Sequence, residues 1–87
     1  MMSRIVIYTT RYCPYCIRAK QLLDGKVVNY EEIPVDGDAL LRQQMIELSG
    51  RSTVPQIWIG KIHVGGFDDL WALDCAGKLD ALLLVNE

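Results

Sequence analysis

The chain has 87 residues, of which 51% are hydrophobic and 23% charged, and its formal net charge is −2. This balance is typical of a single globular domain over residues 1–87, which is too small to include a separate cofactor-binding domain. The sequence has no basic stripe and no apolar run that could cross a bilayer, so neither nucleic acid nor a membrane is expected as a partner. The first residues also lack the apolar core and cleavage site of a signal peptide, which predicts a cytoplasmic protein.

Hydrophobic periodicity and turn residues divide the chain into alternating strands and helices. Pro14 is expected in the first turn of a helix, where its fixed φ fits, and Gly25 is a candidate left-handed cap at the end of that helix. The second helix should place Leu41, Met45 and Leu48 on one face. In chain order the predicted elements are a strand over 4–8, a helix over 14–25, a strand over 27–33, a helix over 39–49, strands over 57–59 and 62–64, a helix from 68, and a last helix over 79–85.

This order predicts an α/β fold built on a mixed four-stranded sheet flanked by helices. The first strand–helix–strand unit implies a right-handed crossover and a parallel pair of strands. Gly60-Lys61 between two short apolar runs predicts an antiparallel hairpin. Helices on both faces are the simplest packing, and the predicted order is β-α-β-α-β-β-α, with the final helical region interrupted at Gly77.

Cys13 and Cys16 lie at the predicted turn from the first strand to the first helix. At this spacing on a helix, two cysteine side chains approach disulfide geometry. Unpaired backbone N–H groups, the helix dipole and the nearby Arg11 and Arg18 favour the thiolate form of Cys13. Cys16 lies one turn further into the helix and should be more shielded. We therefore expect Cys13 to be the nucleophile and Cys16 the resolving thiol.

A structural pair and half of a zinc site are the alternative interpretations of these two cysteines. A zinc site needs four ligands, and the remaining candidates, His63 and Cys75, have no ligand-like spacing, so no metal is expected. A total of three cysteines argues against a structural disulfide framework. Cys75 is expected to be a partly buried helix residue, with a regulatory or dimer-forming thiol as the alternative.

Three short motifs occur along the chain, namely Cys13-Pro14-Tyr15-Cys16, Thr53-Val54-Pro55 and Gly65-Gly66-Phe67-Asp68-Asp69. In this order and spacing they resemble the glutaredoxin family, close to its bacterial glutaredoxin 3 group with two active-site cysteines. The resemblance covers nearly the whole chain. It implies a thioredoxin-like fold, a cis Val54–Pro55 bond, and glutathione as the electron donor, with no tightly bound cofactor.

The same resemblance implies a binding site for glutathione. The Val54 backbone would pair with the peptide-like ligand as an added strand, and a helix start after Gly66 would bind its γ-glutamyl carboxylate. Asp68 or Asp69 would pair with the ammonium group, although both could simply cap the helix. The residues expected to contact glutathione are Tyr15, Thr53, Val54, Pro55, Gly66, Phe67, Asp68, Asp69, Arg42 and Arg11.

The two arginines in this set are expected near the glycyl carboxylate of glutathione. Arg42 lies where the family usually offers Gln or Arg for this group. Thr10 stands where the family often has a lysine, and Arg11 beside it is the candidate substitute. Solvent-exposed charge is the alternative for both arginines.

The predicted function is reduction of protein–glutathione mixed disulfides and of protein disulfides by a glutathione-dependent, monomeric enzyme. A thioredoxin-type general disulfide reductase is the first alternative, against which the Gly65-Gly66 and Asp68-Asp69 motif argues. A second is an iron–sulfur carrier in which Cys13 and glutathione ligate a cluster between two chains. Pro14 stiffens the loop that would hold such a cluster.

Overall fold

The four-stranded mixed sheet predicted from the sequence is confirmed in the computed structural model, which describes residues 3–84. The strands lie in the order β2-β1-β3-β4; β1 is parallel to β2 and antiparallel to β3, and β3 is antiparallel to β4. The elements are β1 (Ile5–Thr9), α1 (Pro14–Gly25), β2 (Glu31–Pro34), α2 (Ala39–Ser49), β3 (Gln56–Ile59), β4 (Ile62–Gly65), α3 (Phe67–Cys75) and α4 (Leu79–Leu83). The predicted last helix ends at residue 85, which lies outside the described residues.

Strand β1 is buried on both sides because helices cover both faces of the sheet. Successive side chains of a strand point to opposite faces. Ile5 and Ile7 therefore pack in one cluster with residues of α1, α3 and α4. Tyr8 packs on the other face, with Val35 and with Met45 of α2. A central strand of this kind explains the β-branched run at the start of the sequence. Within 3–84, no helix is both long and apolar enough to cross a membrane.

Helix α2 has the bounds predicted from its flanking residues. The Asp38 carboxylate accepts a hydrogen bond from the Leu41 N–H at 3.0 Å, and Gly50 ends the helix in a left-handed conformation with φ 72°. The predicted apolar face is wrong in one position, because Met45 is fully buried whereas Leu48 is 63% exposed. Ile46 packs against the core instead, since the helix is rotated so that positions 41, 45 and 46 face the sheet.

The segment between α1 and β2 differs from the predicted strand over 27–33. The ladder begins only at Glu31, and the positive φ falls at Val27, at 56°, rather than at Gly25, which is the last residue of α1. Lys26 holds the chain here, because its ammonium group pairs with Asp74 and Asp80 at 2.6 and 2.9 Å. Contacts to α3 and α4, which are distant in sequence, thus decide this turn.

We expect Val27→Gly to raise the free energy of unfolding by about 0.5–1 kcal/mol, because a β-branched residue is strained in the left-handed region. Val27 is 90% exposed, so little packing is lost. Gly25→Ala is the matched variant: it should also stabilise, by about 0.5–1 kcal/mol, because Gly25 is helical and a Cβ there meets no atom within 4 Å. Urea unfolding measures both, and a destabilised Val27→Gly would contradict the assigned turn.

Candidate active site

The two cysteines of the first motif lie at the start of α1, as predicted. Cys13 is the N-cap residue in an extended conformation, with φ −114° and ψ 106°, and Pro14 follows in the first turn. The Sγ atom of Cys13 accepts a hydrogen bond from the Cys16 backbone N–H at 3.1 Å. It therefore occupies the place that a capping oxygen takes in other helices. One of the unpaired donors at the helix start thus faces the sulfur, and this arrangement favours negative charge on it.

Cys16 is a different kind of thiol. Its side chain is 1% exposed, against 8% for Cys13, so the expected greater shielding is confirmed. Burial raises the pKa of the Cys16 thiol to about 12, and its hydrogen bond to Cys13 contributes in the same direction. The Cys16 thiol therefore stays protonated at neutral pH as long as Cys13 is not part of a disulfide.

The loop before β3 brings a backbone carbonyl next to the sulfur of Cys13. The Val54–Pro55 peptide bond is cis, as the family resemblance implied. Cys13 Sγ lies 3.7 Å from the Val54 carbonyl oxygen, to which the protonated thiol can donate a hydrogen bond. The second motif is therefore in direct contact with the first, although they are 41 positions apart in the chain.

An open cleft of about 280 Å³ extends from this loop to the start of α3. Tyr15 and Phe67 form one wall, with ring centroids 6.4 Å apart. Eight of the ten residues predicted to contact glutathione line the cleft, together with one residue that was not predicted. The lining residues are Tyr15, Arg51, Thr53, Val54, Pro55, Gly66, Phe67, Asp68 and Asp69.

The two aspartates at the start of α3 have different surroundings. Asp69 accepts a hydrogen bond from the Gly66 N–H at 2.9 Å and pairs with Arg51 at 3.2 Å. The Gly66 hydrogen bond, followed by the Arg51 guanidinium, lowers the pKa of the Asp69 carboxyl. Gly65 has φ +113°, and a Cβ there would collide with the Asp69 carboxylate. Asp69 therefore caps the helix, whereas Asp68 is exposed.

Arg51 is the cleft residue that the sequence analysis missed. It follows the glycine that ends α2 and belongs to none of the three motifs. The only sequence signal was a cation close to the Thr53-Val54-Pro55 motif. Its partner Asp69 is 18 positions away, so the pairing depends on the tertiary fold.

The two predicted arginines lie elsewhere and do not line this cleft. Arg11 is 3.9 Å from Asp36 and lines a separate depression beside β2. Arg42 donates a hydrogen bond to the Ser52 carbonyl at 3.2 Å and so holds the loop that precedes the cis bond.

A polar side-chain cluster behind the cleft was also missed. Gln56 is fully buried and bonds both to Thr53 and to His63. Burial, and then the Arg51 guanidinium, lower the pKa of His63, with Asp69 acting in the opposite direction. His63 is thus a hydrogen-bonded residue of β4.

The remaining cysteine lies at the end of α3. Cys75 is exposed, which corrects the expectation of partial burial. Leu73 in the same turn packs against the core, and a residue two positions later lies on the opposite side of a helix. Residues 3–84 contain no group of three or more His, Cys, Asp or Glu side chains that could hold a metal ion.

A mixed sheet with two cysteines at its first strand-to-helix turn defines the class of thiol–disulfide oxidoreductases with a thioredoxin-like fold. The sequence model of the glutaredoxin family matches residues 5–64. The chain is 62% identical over 82 residues to a glutaredoxin of Pseudomonas aeruginosa, covering 94% of this chain and 98% of the relative. The protein therefore belongs to the glutaredoxin family and is an oxidoreductase.

Two further comparisons agree with this assignment. Glutaredoxin 3 of Escherichia coli strain K12 is 56% identical over 82 residues, covering 94% of this chain and 99% of the relative. The crystal structure of a buckwheat glutaredoxin–glutathione complex superposes with a TM-score of 0.85 at 31% identity, covering 93% of this chain and 76% of that chain. The predicted resemblance to the bacterial glutaredoxin 3 group is confirmed.

At neutral pH, iodoacetamide should modify Cys13 about tenfold or more faster than Cys16, because only thiolates react and Cys16 is both buried and protonated. Limited alkylation followed by mass spectrometry of the peptides measures both rates. The exposed Cys75 serves as an internal reference in the same digest. Faster modification of Cys16 than of Cys13 would show that the nucleophile is assigned incorrectly.

Asp69→Asn should lower the free energy of unfolding at pH 7 by about 0.3–1 kcal/mol, because an ionised carboxylate at a helix start is stabilising. The folded-state pKa of Asp69 is lowered from 3.8, so this contribution is present above 3.8 and is lost as the pH falls through the lower folded value. The difference between wild type and variant should therefore shrink as the pH falls below 3.8 and disappear once the Asp69 carboxyl is protonated in the folded protein. Asp68→Asn is the control: it removes a charge from the same helix turn but leaves the Gly66 N–H and Arg51 bonds of Asp69 in place, so it should change stability less. A pH-independent difference for Asp69→Asn would contradict this prediction.

Proposed function

We propose that this protein reduces protein–glutathione mixed disulfides and protein disulfides, with glutathione as the electron donor. The observation that supports this most is the cleft itself. It places the accessible backbone of a three-residue loop next to Cys13 Sγ, and it ends at the start of α3. A short peptide that carries a thiol and a terminal carboxylate has the length and chemistry for such a cleft.

Each end of glutathione meets complementary groups in this proposal. The Thr53–Pro55 backbone would pair with the ligand as an added strand. The N-terminal N–H groups of α3 would bind the γ-glutamyl carboxylate, and Asp68 would bind the ammonium group. Asp69 already has two partners, Gly66 and Arg51, which is why Asp68 is the better candidate.

The glycyl carboxylate has several candidate cations. Arg51 lines the cleft, and its pairing with Asp69 leaves it 50% exposed. Arg42 and Arg11 remain candidates near the same loop and the cysteine turn, although neither side chain lines the cleft. An arginine in any of these positions can bind a carboxylate through two parallel hydrogen bonds.

The reaction on a mixed disulfide needs Cys13 alone. The Cys13 thiolate attacks the sulfur of the glutathione moiety, the S–S bond breaks, and the protein leaves as a thiolate that takes up a proton. A second glutathione, as its thiolate, then attacks the glutathione sulfur bound to Cys13. Oxidised glutathione leaves, and the Cys13 thiolate is regenerated.

A disulfide within a protein needs both cysteines. Cys13 forms a mixed disulfide with one substrate sulfur while the other leaves as a thiol. Cys16 then attacks Cys13 Sγ, which releases the remaining substrate thiol and forms a Cys13–Cys16 disulfide. Two glutathiones reduce this disulfide and leave as oxidised glutathione. The high pKa of Cys16 comes in part from Cys13 itself, through a hydrogen bond and charge repulsion. Both contributions end when Cys13 becomes neutral in the mixed disulfide, whereas burial, the largest cause, persists. The pKa of Cys16 therefore falls at the step that needs its thiolate.

Redox energetics support glutathione as the donor. Glutaredoxins have reduction potentials of about −200 to −230 mV, against about −270 mV for thioredoxin. This difference of roughly 40–70 mV corresponds to about 2–3 kcal/mol for two electrons, and it makes a glutaredoxin disulfide reducible by the glutathione pool. We propose a monomer that works in the cytoplasm, where such a pool keeps thiols reduced.

The Cys13→Ser and Cys16→Ser variants test the proposed function on a glutathionylated peptide with glutathione as reductant. Cys13→Ser should lose at least about a thousandfold in rate, because no nucleophile remains. Cys16→Ser should retain a substantial part of this activity but lose reduction of a protein disulfide.

The matched control is the same peptide carrying a methyl disulfide in place of glutathione. Wild type should react faster with the glutathionylated form. Equal rates on the two peptides, or activity that appears only with a non-glutathione reductant, would rule out glutathione as the recognised group.

A further inference from the structure

Gln56 is a fully buried polar residue at the start of β3, directly after the cis bond. Strand β3 is an inner strand of the sheet, and the backbone of Gln56 is held there by pairing with Tyr8 of β1. A buried amide is costly unless its hydrogen bonds are made. The hydrogen-bond partners of the Gln56 amide therefore indicate why a polar side chain is buried at this position.

The amide nitrogen of Gln56 faces back into the loop of the cleft. Nε2 donates to the Thr53 carbonyl at 3.0 Å and to Thr53 Oγ1 at 3.2 Å. These two bonds span the cis Val54–Pro55 pair, and Pro55 has no N–H with which to anchor the loop. The side chain of Gln56 thus supplies an attachment that the backbone of the loop lacks.

The orientation of the amide also determines the role of His63. Because Nε2 faces two acceptors on Thr53, Oε1 of Gln56 must be the atom 2.8 Å from His63 Nε2. His63 is therefore the donor. The imidazole is itself held by Trp58, its cross-strand partner, with ring centroids 4.7 Å apart and an interplanar angle of 31°.

We propose that Gln56 and His63 are positioning residues for glutathione: the chain of hydrogen bonds His63–Gln56–Thr53 holds the Thr53–Pro55 loop in the conformation to which the ligand binds. This inference rests on the proposed function and extends it to two residues that do not line the cleft. The rigid β3–β4 hairpin is the support, and the loop is the element that it orients. Loss of either side chain leaves the thiol chemistry of Cys13 intact but weakens recognition of the glutathione moiety.

The test uses two variants of equal side-chain length at His63. His63→Met removes the hydrogen-bond donor, whereas His63→Gln places an amide N–H at a similar distance from Gln56. Gln56→Met removes the amide at the centre of the chain. Each change is made in a Cys16→Ser, Cys75→Ser parent, so that Cys13 is the only thiol.

The measurement is the second-order rate constant for the reaction of Cys13 with one peptide in two forms, a glutathione mixed disulfide and a methyl disulfide. The two Met variants should lower the rate constant for the glutathionylated peptide about 3- to 10-fold, the effect of one lost hydrogen bond. The rate constant for the methyl disulfide should change less than about twofold. His63→Gln should restore the parent value for the glutathionylated peptide.

Three outcomes would overturn the inference. The first is an equal loss of rate on both peptides, which a purely structural role would produce. The second is no loss of rate on either peptide. The third is that His63→Gln and His63→Met give the same rate. If Gln56→Met does not fold, as judged by circular dichroism, the two variants at the half-buried position 63, His63→Met and His63→Gln, still test the inference. A parent that shows no preference for the glutathionylated peptide would instead refute the proposed function, so the two failures are distinguishable.

Discussion

The hydrogen bond from the Cys16 N–H to Cys13 Sγ, at 3.1 Å, is the interaction on which the rest of the site depends. It places a sulfur atom where a helix has an unpaired backbone donor, and it uses the first turn of α1 to stabilise charge on that sulfur. The second cysteine is buried by the same helix and kept protonated. One structural feature, the start of a helix after the central strand, thus makes two chemically similar side chains unequal.

The part of the site that we propose for glutathione binding is built from the loop before β3 and the start of α3. Thr53–Pro55 lies between α2 and β3, and side chains rather than a strand ladder secure this region. Arg42 bonds to Ser52, and Gln56 bonds to Thr53. Because Arg42 and Gln56 lie outside the cleft, the proposed recognition of glutathione could be altered without changing Cys13 or Cys16.

Local patterns predicted much of this structure because the forces that set them act over a few residues. The bounds of α2 follow from an Asp cap and a left-handed glycine at its two ends. The hairpin follows from Gly60-Lys61 between two apolar runs, and the parallel pairing of β1 with β2 from the strand–helix–strand connection. Predictions failed where distant contacts decide, as at Val27, whose turn is held by Lys26 and its partners on α3 and α4. The predicted burial of Leu48 and Cys75 was wrong for a related reason. The rotation of a helix against the sheet is not set by the helix's own sequence period.

By itself, the sequence determined the family, the position of the cysteine pair at the start of α1 and eight of the residues around the cleft, since each belongs to a short motif with its own backbone chemistry. Only the tertiary structure decided that Arg51 pairs with Asp69, that Asp69 rather than Asp68 caps α3, and that Arg42 contacts the loop. It also joined His63 to Thr53 through Gln56. These are pairings between side chains on different elements, and their geometry exists only after the sheet and helices have packed together.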